Sequence, residues 1–251
     1  MHTPDPVQLQ LYLSSPQACS YLTGRESRTL FPGPQIPMNP ALHNVLADLG
    51  FRRSGSMVYR HECDTCRACT PIRLPVDRFL PRRIQRRVWR KNRRLSIEIK
   101  PADFDTEQFE LYGKYLRHRH PDSDMASVSE TQYRDFLVCD WCDTRFFEFR
   151  LDTELVAVAV TDLLPTGLSA VYTFFDPRWS AMSPGVYAIL WQIQEAKRRG
   201  LRWLYLGFWI PGSPKMAYKS LFSPCRLTGT RPGRNSVLKI LWMLKMRVRL
   251  G

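Results

Sequence analysis

WLYLGFWIPGSPKMAYKSLFSP, residues 203–224, joins an apolar stretch to a Gly/Pro turn and a basic segment. The apolar stretch is mostly aromatic or aliphatic and carries no charge, which predicts a buried strand of a mixed sheet. Gly207 interrupts it, and a glycine inside such a strand marks a bulge or the close approach of a ligand or another backbone. Lys215 and Lys219 follow the turn at helical spacing, so we expect both side chains on one face just beyond the strand.

The position of these two lysines predicts a binding site for an anionic group. Open sheets bind ligands beyond the carboxyl ends of their strands, which is where both lysines would lie. The alternative is a core strand followed by an ordinary solvated basic turn. This stretch alone does not distinguish an anion-binding site from a solvated basic turn, so other parts of the sequence are needed.

The overall charge indicates a polyanionic partner. The 251 residues contain 37 Lys and Arg against 23 Asp and Glu, a net charge of +14, and 44% of them are hydrophobic, which is enough for a sizeable core. Such an excess predicts attraction to nucleic acid first and to an anionic membrane surface second. No apolar run approaches the roughly 20 residues of a membrane-spanning helix, and MHTPDPVQLQLYL lacks the features of a secretory signal. We therefore expect a cytoplasmic protein with no membrane partner.

A group of cysteines in the first third of the chain has metal-ligand spacing. Cys63, Cys66 and Cys69 are each separated by two residues, which is close enough to place three thiolates around one ion. Cys19 or His61 would supply the fourth ligand of a tetrahedral site. The odd total of seven cysteines also favours thiols or metal ligands over disulfides in a reducing compartment. The alternative is a set of reduced thiols packed in a small hairpin domain.

A long basic run follows the cysteines. Residues 78–94 contain nine Lys and Arg and no acidic residue. The basic residues recur every four positions while Ile84 and Val88 share another stripe, so a helix here would show one wide cationic face. Like charges at i and i+4 repel each other, and a nucleic-acid backbone would relieve that cost. An ordinary solvated face is the alternative.

The order of elements in the second half of the chain indicates the fold. Residues 145–176 contain three short runs rich in Val, Phe and Tyr, which predicts an antiparallel meander. A helix from Ser183 to Arg199 and the apolar strand from Arg202 to Ile210 follow. Antiparallel strands, a crossover helix and a further strand resemble the acetyltransferase-type (GNAT) core, in which a splayed sheet holds the acyl donor.

We therefore predict an α+β fold: a GNAT-like mixed sheet with flanking helices, plus a smaller N-terminal α/β domain that contains the cysteines. The predicted boundaries are 1–95 for the Cys-rich, basic domain and 96–230 for the catalytic domain. Residues 231–251 form a basic tail whose pattern is typical of an amphipathic helix.

Five motifs stand in order along the chain. They are CSYLTGR at 19–25, GFRRSG at 50–55 with the Cys63 to Cys69 spacing after it, RHPDSDM at 119–125, VYTFFDP at 171–177 and GFWIPGSPKMAYKSLFSP at 207–224. Together they resemble the bacterial aspartate/glutamate leucyltransferases, relatives of the eukaryotic arginyl-tRNA:protein transferases. The resemblance runs from about Pro16 to Pro224, nearly the whole chain.

The resemblance implies transfer of leucine from leucyl-tRNA to the α-amine of a protein that begins with Asp or Glu, which marks that protein for degradation in the N-degron pathway. The aminoacyl ester is already activated, and an α-amine with a pKa near 7.7 to 8.0 is partly neutral at cell pH. The enzyme therefore needs mainly to bring the two together and to stabilise an oxyanion, with no cofactor required. The eukaryotic relatives imply zinc or an iron-sulfur cluster at the cysteines.

Three alternatives stay open at this point. The donor could be arginyl-tRNA, because the shape of the pocket decides between leucine and arginine. A CoA-dependent acetyltransferase would need a Gly-rich pyrophosphate loop, and residues 182–185 offer a single glycine. A metal-stabilised, non-enzymatic tRNA-binding protein would explain the cysteines and the basic run, but it leaves the large C-terminal domain without a purpose.

The resemblance also implies roles for individual residues. Catalytic roles in the central cleft are implied for Lys215, Lys219, Tyr172, His120 and Asp122. Substrate contacts are implied for Arg52, Arg53, Arg73, Phe174, Gly207, Trp209 and Tyr218. The acceptor stem of the tRNA is expected on Arg82, Arg83, Arg86, Arg87, Arg90 and Lys91, and a metal at Cys19, Cys63, Cys66 and Cys69.

Overall fold

The computed structural model describes residues 9–119, 128–222, 226–227 and 247–250. Numbered along the chain, the described strands are β1 (Gln10–Leu13), β2 (Gln17–Ala18), β3 (Glu26–Ser27), β4 (Thr29–Pro32), β5 (Arg52–Ser54), β6 (Met57–His61), β7 (Thr70–Pro75), β8 (Ser96–Pro101), β9 (Asp143–Leu151), β10 (Glu154–Leu164), β11 (Gly167–Phe175), β12 (Trp203–Trp209), β13 (Arg226–Leu227) and β14 (Arg247–Leu250). The described α-helices are α1 (Pro40–Asp48), α2 (Arg83–Lys91), α3 (Thr106–Arg119), α4 (Glu130–Leu137) and α5 (Pro184–Arg198). Short 3-10 segments span Val76–Arg78, Pro177–Met182 and Pro214–Leu221.

The larger of the two main sheets is mixed, with strand order β13-β7-β12-β11-β10-β9-β8. Within it only β11 and β12 run parallel to each other among the described strands. Side chains of α2 and α5 pack in the hydrophobic cluster on one face, and those of α3 and α4 pack in the cluster on the other. The predicted α+β fold, mixed sheet and flanking helices are confirmed.

Local sequence signals account for the main elements of this sheet. β10 is an interior strand between β11 and β9, and its residues from Leu155 to Asp162 are all buried, as expected of a strand covered on both faces. α5 begins at Pro184, a residue suited to the first turn of a helix, and Gly200 follows its end with φ +68. These bounds agree with the strand and the crossover helix predicted from the sequence.

The smaller sheet contains both ends of the described chain. Its strand order is β14-β1-β4-β6-β5, and α1 packs against it. The N-cap residue of α1 is Asn39, whose side chain accepts a hydrogen bond from the Leu42 amide at 2.9 Å. β14 pairs in parallel with β1. The prediction of a helical tail is therefore wrong for residues 247–250, and residues 228–246 lie outside the described part.

The larger sheet and its core contain segments from both sides of the predicted boundary at residue 95. β7 precedes that boundary in sequence, yet it lies between β13 and β12 of the larger sheet. α2 also precedes it, and the buried Val88 of α2 belongs to the larger sheet's core. The boundary itself stays a prediction. Within the described residues, no helix has the length and apolar character needed to cross a membrane.

Candidate active site

The candidate active site lies where two neighbouring strands separate. β11 and β12 pair only over their first three residues, Gly167–Ser169 against Trp203–Tyr205. β11 nevertheless continues beside β10 to Phe175, and β12 continues beside β7 to Trp209. Their carboxyl halves therefore no longer pair with each other, and we call the opening between residues 170–175 of β11 and 206–209 of β12 the gap. It lies at the end of the sheet where such sheets bind ligands.

Arg52 reaches into this gap from β5. Its Nη2 donates to the carbonyl oxygen of Val171 on β11 at 3.0 Å. Its Nη1 lies 3.2 Å from the position that a Cβ would take on Gly207 of β12. The salt bridges of the described residues leave Arg52 without a carboxylate partner. Its charge is therefore available to an anion that enters between the two strands.

Gly207 allows the close approach of Arg52 because it has no Cβ and because its backbone adopts a positive φ at a bulge. The register of β12 against β7 shifts between Tyr205 and Gly207, and Gly207 has φ +70, a conformation that residues with a Cβ rarely adopt. The predicted bulge at this glycine is confirmed, and the group that approaches it is a side chain, where a ligand or another backbone was predicted.

Replacing Gly207 with alanine is expected to lower the free energy of unfolding by about 2 kcal/mol, because a positive φ costs a residue with a Cβ about 1 kcal/mol and Arg52 must also move. Gly200→Ala is the matched control, since Gly200 has φ +68 and open space where its Cβ would lie. Urea denaturation of both variants measures the difference. Equal losses would contradict the close approach of Arg52.

Lys219 places a second basic nitrogen beside the gap. It lies in the 3-10 segment after β12, is 5% exposed, and its Nζ donates to the carbonyl oxygen of Phe208 at 2.7 Å. Burial, followed by the positive charge of Arg52, lowers the pKa of the Lys219 amine to about 7. At neutral pH such an amine is neutral in roughly half of the molecules, so it can accept a proton as well as donate one.

Tyrosine hydroxyls line the same region. Burial raises the pKa of Tyr172 on β11, and it raises the pKa of Tyr218 to about 12. The charges of Arg52 and Arg119 act on both phenols in the opposite direction. Tyr115 on α3 packs edge-on against Tyr172, with 6.2 Å between ring centroids. These phenols stay protonated at neutral pH and can donate hydrogen bonds.

Arg119 and Tyr115 were missed by the interpretation of the sequence. Arg119 is exposed at the last residue of α3, one turn beyond Tyr115. The available signals were their spacing of four residues on one helix and the place of Arg119 at the start of RHPDSDM. That motif was assigned through His120 and Asp122, which lie outside the described residues.

Three other predicted substrate contacts pack against the protein itself. Arg73 on β7 contacts Asp48 of α1 and lies over the ring of Trp203, with Cζ 3.9 Å from its centroid. Phe174, in the carboxyl half of β11, is fully buried in the core beneath α3. Trp209, the last residue of β12, is half-buried against the core beneath α5. Their roles in substrate binding stay predictions.

Arg53 is enclosed by the protein, although a substrate contact was predicted for it. It is 1% exposed, and its guanidinium binds the carboxylate of Asp162 at 2.7 and 2.8 Å. A substrate has no access to this side chain, so we leave it out of the proposed contacts. The side chain of Lys215 lies outside the described part, and its backbone belongs to the same 3-10 segment as Lys219.

The basic helix predicted from the sequence is α2. Gln85 and Val88 are buried, and Gln85 donates to the carbonyl oxygen of Leu221 at 3.1 Å, which joins α2 to the segment that carries Lys219. The opposite face is exposed and consists of Arg83, Arg86, Arg87, Arg90 and Lys91, with Arg82 at the N-cap. Among the described residues none of these side chains forms a salt bridge.

The four predicted cysteine ligands lie near enough to influence one another's pKa, but no three of their sulfur atoms lie within 4.8 Å of one another. Burial and then the charges of Cys63, Cys19 and Cys66 raise the pKa of the Cys69 thiol to about 12. All four are partly accessible, free thiols. Thiolates are the ligands that zinc and iron-sulfur clusters prefer, so the set fits either group chemically.

Another group of ligand atoms is buried between α1 and the larger sheet. Potential ligand atoms of His43, Cys142 and Asp162 lie within 4.8 Å of one another, the one such group of three among the described residues. The Asp162 carboxylate is already paired with the Arg53 guanidinium. A metal ion would meet that positive charge at close range, so we assign this group to the packing of the core.

Two family models match the chain. The N-terminal model of the arginine-tRNA-protein transferases matches residues 17–87, and the C-terminal model of the same family matches residues 107–229. The chain is 48% identical over 219 residues to the aspartate/glutamate leucyltransferase of Alcanivorax borkumensis, which covers 87% of this chain and 90% of that protein. It is 49% identical over 221 residues to the protein of the same name from Pseudomonas fluorescens, covering 88% and 94%.

A similarity in fold extends to one solved structure of low sequence identity. The crystal structure of FemX matches with a TM-score of 0.50 at 8% identity and covers 87% of this chain and 88% of that one. At this identity the match concerns the arrangement of the elements only.

Proposed function

The chain belongs to the arginine-tRNA-protein transferase family, and from that premise we propose that it transfers leucine from leucyl-tRNA to the α-amine of proteins that begin with aspartate or glutamate. It is an aminoacyltransferase. The relatives that match at 48% and 49% identity bear the name aspartate/glutamate leucyltransferase, which supports leucine over arginine as the donated residue. We further propose that the reaction takes place in the cytoplasm, where its tRNA donor is found.

The one observation that carries this proposal is Arg52 in the gap between β11 and β12, where it has no carboxylate partner among the described residues. A guanidinium binds a carboxylate through two parallel hydrogen bonds, from Nε and Nη2 or from Nη1 and Nη2. The bond from Arg52 to Val171 uses one of the two N–H groups of Nη2, so one edge of the guanidinium keeps both of its donors for that purpose. Lys219 lies beside it, and no acidic side chain contributes to the shift of its pKa. We propose that the side-chain carboxylate of the acceptor's first residue binds Arg52.

The proposed reaction needs little chemistry beyond positioning. The neutral α-amine attacks the carbonyl carbon of the aminoacyl ester, a new peptide bond forms, and the bond from that carbon to the ribose oxygen breaks. The proton that the amine loses goes to the neutral amine of Lys219, and the Lys219 ammonium then gives a proton to the leaving ribose oxygen, which restores the neutral lysine. The phenols of Tyr172 and Tyr218 are proposed to donate hydrogen bonds to the oxyanion of the tetrahedral intermediate.

The divergence of β11 and β12 also supports the acetyltransferase-type description of the catalytic sheet, with the acyl donor placed in the gap. The smaller sheet with α1, and the cysteines that follow it, would form the N-terminal domain. The fold shared with FemX is consistent with this description. A zinc ion or an iron-sulfur cluster bound by Cys19, Cys63, Cys66 and Cys69 would link the turn after β2 to the loop before β7 and stabilise both.

The exposed face of α2 is proposed to bind the acceptor stem of the tRNA. The double variant Arg86→Ala/Arg90→Ala is expected to raise KM for leucyl-tRNA about tenfold and to flatten its dependence on salt, since each phosphate contact contributes about 0.9 to the slope of log K against log salt. KM for the peptide should not change. Arg198→Ala is the control, because Arg198 is an exposed arginine on α5 paired with Glu195. Equal effects of both changes would exclude α2 as the tRNA surface.

A transfer assay tests the proposed function as a whole. Purified protein is incubated with leucyl-tRNA and with peptides that begin with Asp, Glu, Asn or Lys and are otherwise identical. We expect leucine on the Asp and Glu peptides only. Transfer of arginine from arginyl-tRNA at equal rates would overturn the choice of donor. Intact tRNA binding without transfer would favour the non-enzymatic alternative, and turnover of acetyl-CoA would favour the acetyltransferase.

A further inference from the structure

The residue next to Arg52 is held by an unusually complete set of hydrogen bonds. Arg53 Nε donates to Asp162 Oδ2 at 2.8 Å, and Nη2 donates to Asp162 Oδ1 at 2.7 Å. Nη1 donates to the carbonyl oxygen of Gly55 at 2.7 Å. Thr144 on β9 closes the network, because its hydroxyl accepts from Arg53 at 3.2 Å and donates to Asp162 at 2.8 Å. The side chains of Arg53 and Asp162 are both 0% exposed.

This network joins the two sheets at one point. Arg53 belongs to β5 of the smaller sheet, whereas Asp162 belongs to β10 of the larger sheet, 109 residues further along the chain. β5 is only three residues long and lies at the edge of its sheet, where it pairs with β6. Pairing with one neighbour leaves a short edge strand free to shift in register, so the ion pair supplies the second attachment.

The attachment has a direct consequence for Arg52. Successive side chains of a strand point to opposite faces, so fixing Arg53 toward β10 directs Arg52 away from it. Arg52 then bonds Val171 on β11 and meets Gly207 on β12. A small displacement of β5 would move the Arg52 guanidinium away from the position in which it can bind the carboxylate of an acceptor.

We propose that Arg53, Asp162 and Thr144 are positioning residues for the recognition of the acidic acceptor, because they set the place of Arg52 in the gap. The proposal rests on the proposed function, in which Arg52 binds the acceptor's carboxylate. A buried ion pair adds little net stability compared with apolar residues of similar size, so stability alone gives no reason for it here. Its effect is expected in specificity, as a selective loss of preference for acidic acceptors.

The test compares the kcat/KM for peptides that begin with Asp and with Asn, in wild type and variants. Asp162→Asn puts an amide opposite Arg53, and Thr144→Val removes two hydrogen bonds of the network without changing its volume. We expect both to lower the Asp/Asn ratio about tenfold, since small displacements of a positioned group have effects of that order or larger. KM for leucyl-tRNA should stay within twofold of wild type.

Glu148→Gln is the matched control. The Glu148 side chain is also a 0% exposed carboxylate of the larger sheet, and it accepts hydrogen bonds from Gln108 and Arg150 at 2.7 and 2.8 Å. Its loss should disturb folding as much as that of Asp162 while leaving the Asp/Asn ratio unchanged. If Asp162→Asn does not fold, the milder Thr144→Val and Arg53→Lys variants are measured in its place.

The outcomes separate this proposal from the proposed function. If Arg52→Met loses the preference for Asp while the Asp162 and Thr144 variants keep it, the positioning role is wrong and the role of Arg52 stands. If Arg52→Met itself keeps the preference, the acidic residue is recognised elsewhere and the proposed role of Arg52 is wrong. If the Asp/Asn ratio of kcat/KM falls equally in Glu148→Gln, the network of Arg53, Asp162 and Thr144 contributes only to folding, and the positioning role is wrong.

Discussion

Arg52→Met is expected to lower kcat/KM for an Asp-starting peptide by about 100-fold or more. Truncating one partner of a buried, hydrogen-bonded charge pair costs about 2 to 5 kcal/mol, and about 1.4 kcal/mol corresponds to a factor of ten. Methionine keeps most of the length and apolar volume of the arginine side chain but donates no hydrogen bond. The transfer rates are measured at fixed leucyl-tRNA over a range of peptide concentrations.

The donor side of the reaction provides the control for this variant. KM for leucyl-tRNA is expected to stay near its wild-type value, because the tRNA is assigned to α2. Arg52→Lys should restore part of the activity, since an ammonium supplies the charge but not the two parallel hydrogen bonds. An Arg52→Met enzyme that transfers leucine to the Asp peptide at more than a tenth of the wild-type efficiency would rule out Arg52 as the acid-binding residue.

Lys219→Met is expected to have the second large effect, a loss of about 100-fold or more in the rate at saturating substrates. General base catalysis contributes typically 10² to 10⁴ to a rate. Because the pKa of Lys219 is lowered to about 7, protonation of Lys219 should lower the wild-type rate tenfold per pH unit below that value, in addition to the fall caused by protonation of the acceptor's α-amine. The residual rate of Lys219→Met should keep only the inflection of the α-amine and fall less steeply below pH 7. A variant rate within threefold of wild type would exclude Lys219 as the proton acceptor.

The same variant is expected to be more stable than the wild type. The pKa of Lys219 lies below its ordinary value of 10.5, so protonation of the amine opposes folding. The cost is complete below pH 7, where the amine is charged in the folded protein, and disappears toward pH 10.5, where it is neutral in both states. Lys219→Met should therefore gain about 2 kcal/mol in the free energy of unfolding at pH 6 and less at pH 9.

Thermal or urea unfolding at the two pH values checks this second consequence. Lys219→Arg is the control, because an arginine stays charged at both values and should destabilise the protein at both. A Lys219→Met protein that is less stable than wild type at pH 6 would show that burial of the charged Lys219 amine does not destabilise the folded protein.

The sequence predicted the central strand, its glycine and the two groups of basic residues because each has a local signal. Uncharged aromatic and aliphatic residues indicate β12, and Gly207 indicates its bulge. Arg recurring every four residues predicts α2 with its exposed cationic face. Lys219 was placed near the site by its spacing from the strand, but its burial depends on packing that spacing does not encode.

Other features depend on contacts between distant residues, and the sequence pattern does not report them. Arg52 and Arg53 are adjacent and chemically identical, yet one lies in the gap and the other is enclosed with Asp162. Which of the two faces the gap is decided by strands more than 100 residues away. The packing of Arg73 was missed for the same reason, since Asp48 and Trp203 are distant in sequence.

The gap itself also lies beyond sequence patterns. β11 and β12 are both rich in the residues that favour strands, and nothing in either predicts that they pair over three residues only. The resemblance of the element order to the acetyltransferase-type core supplied that expectation in advance. The register of β11 and β12 and the position of Arg52 between them show where the two strands separate.

A crystal structure of the protein with a bound Asp-starting peptide tests the central claim most directly. We predict that the side-chain carboxylate lies within about 2.7 to 2.9 Å of the Arg52 guanidinium, between β11 and β12, with the peptide's α-amine directed toward Lys219. A carboxylate bound at α2, or at any site outside the gap, with Arg52 still bonded only to Val171, would contradict the account.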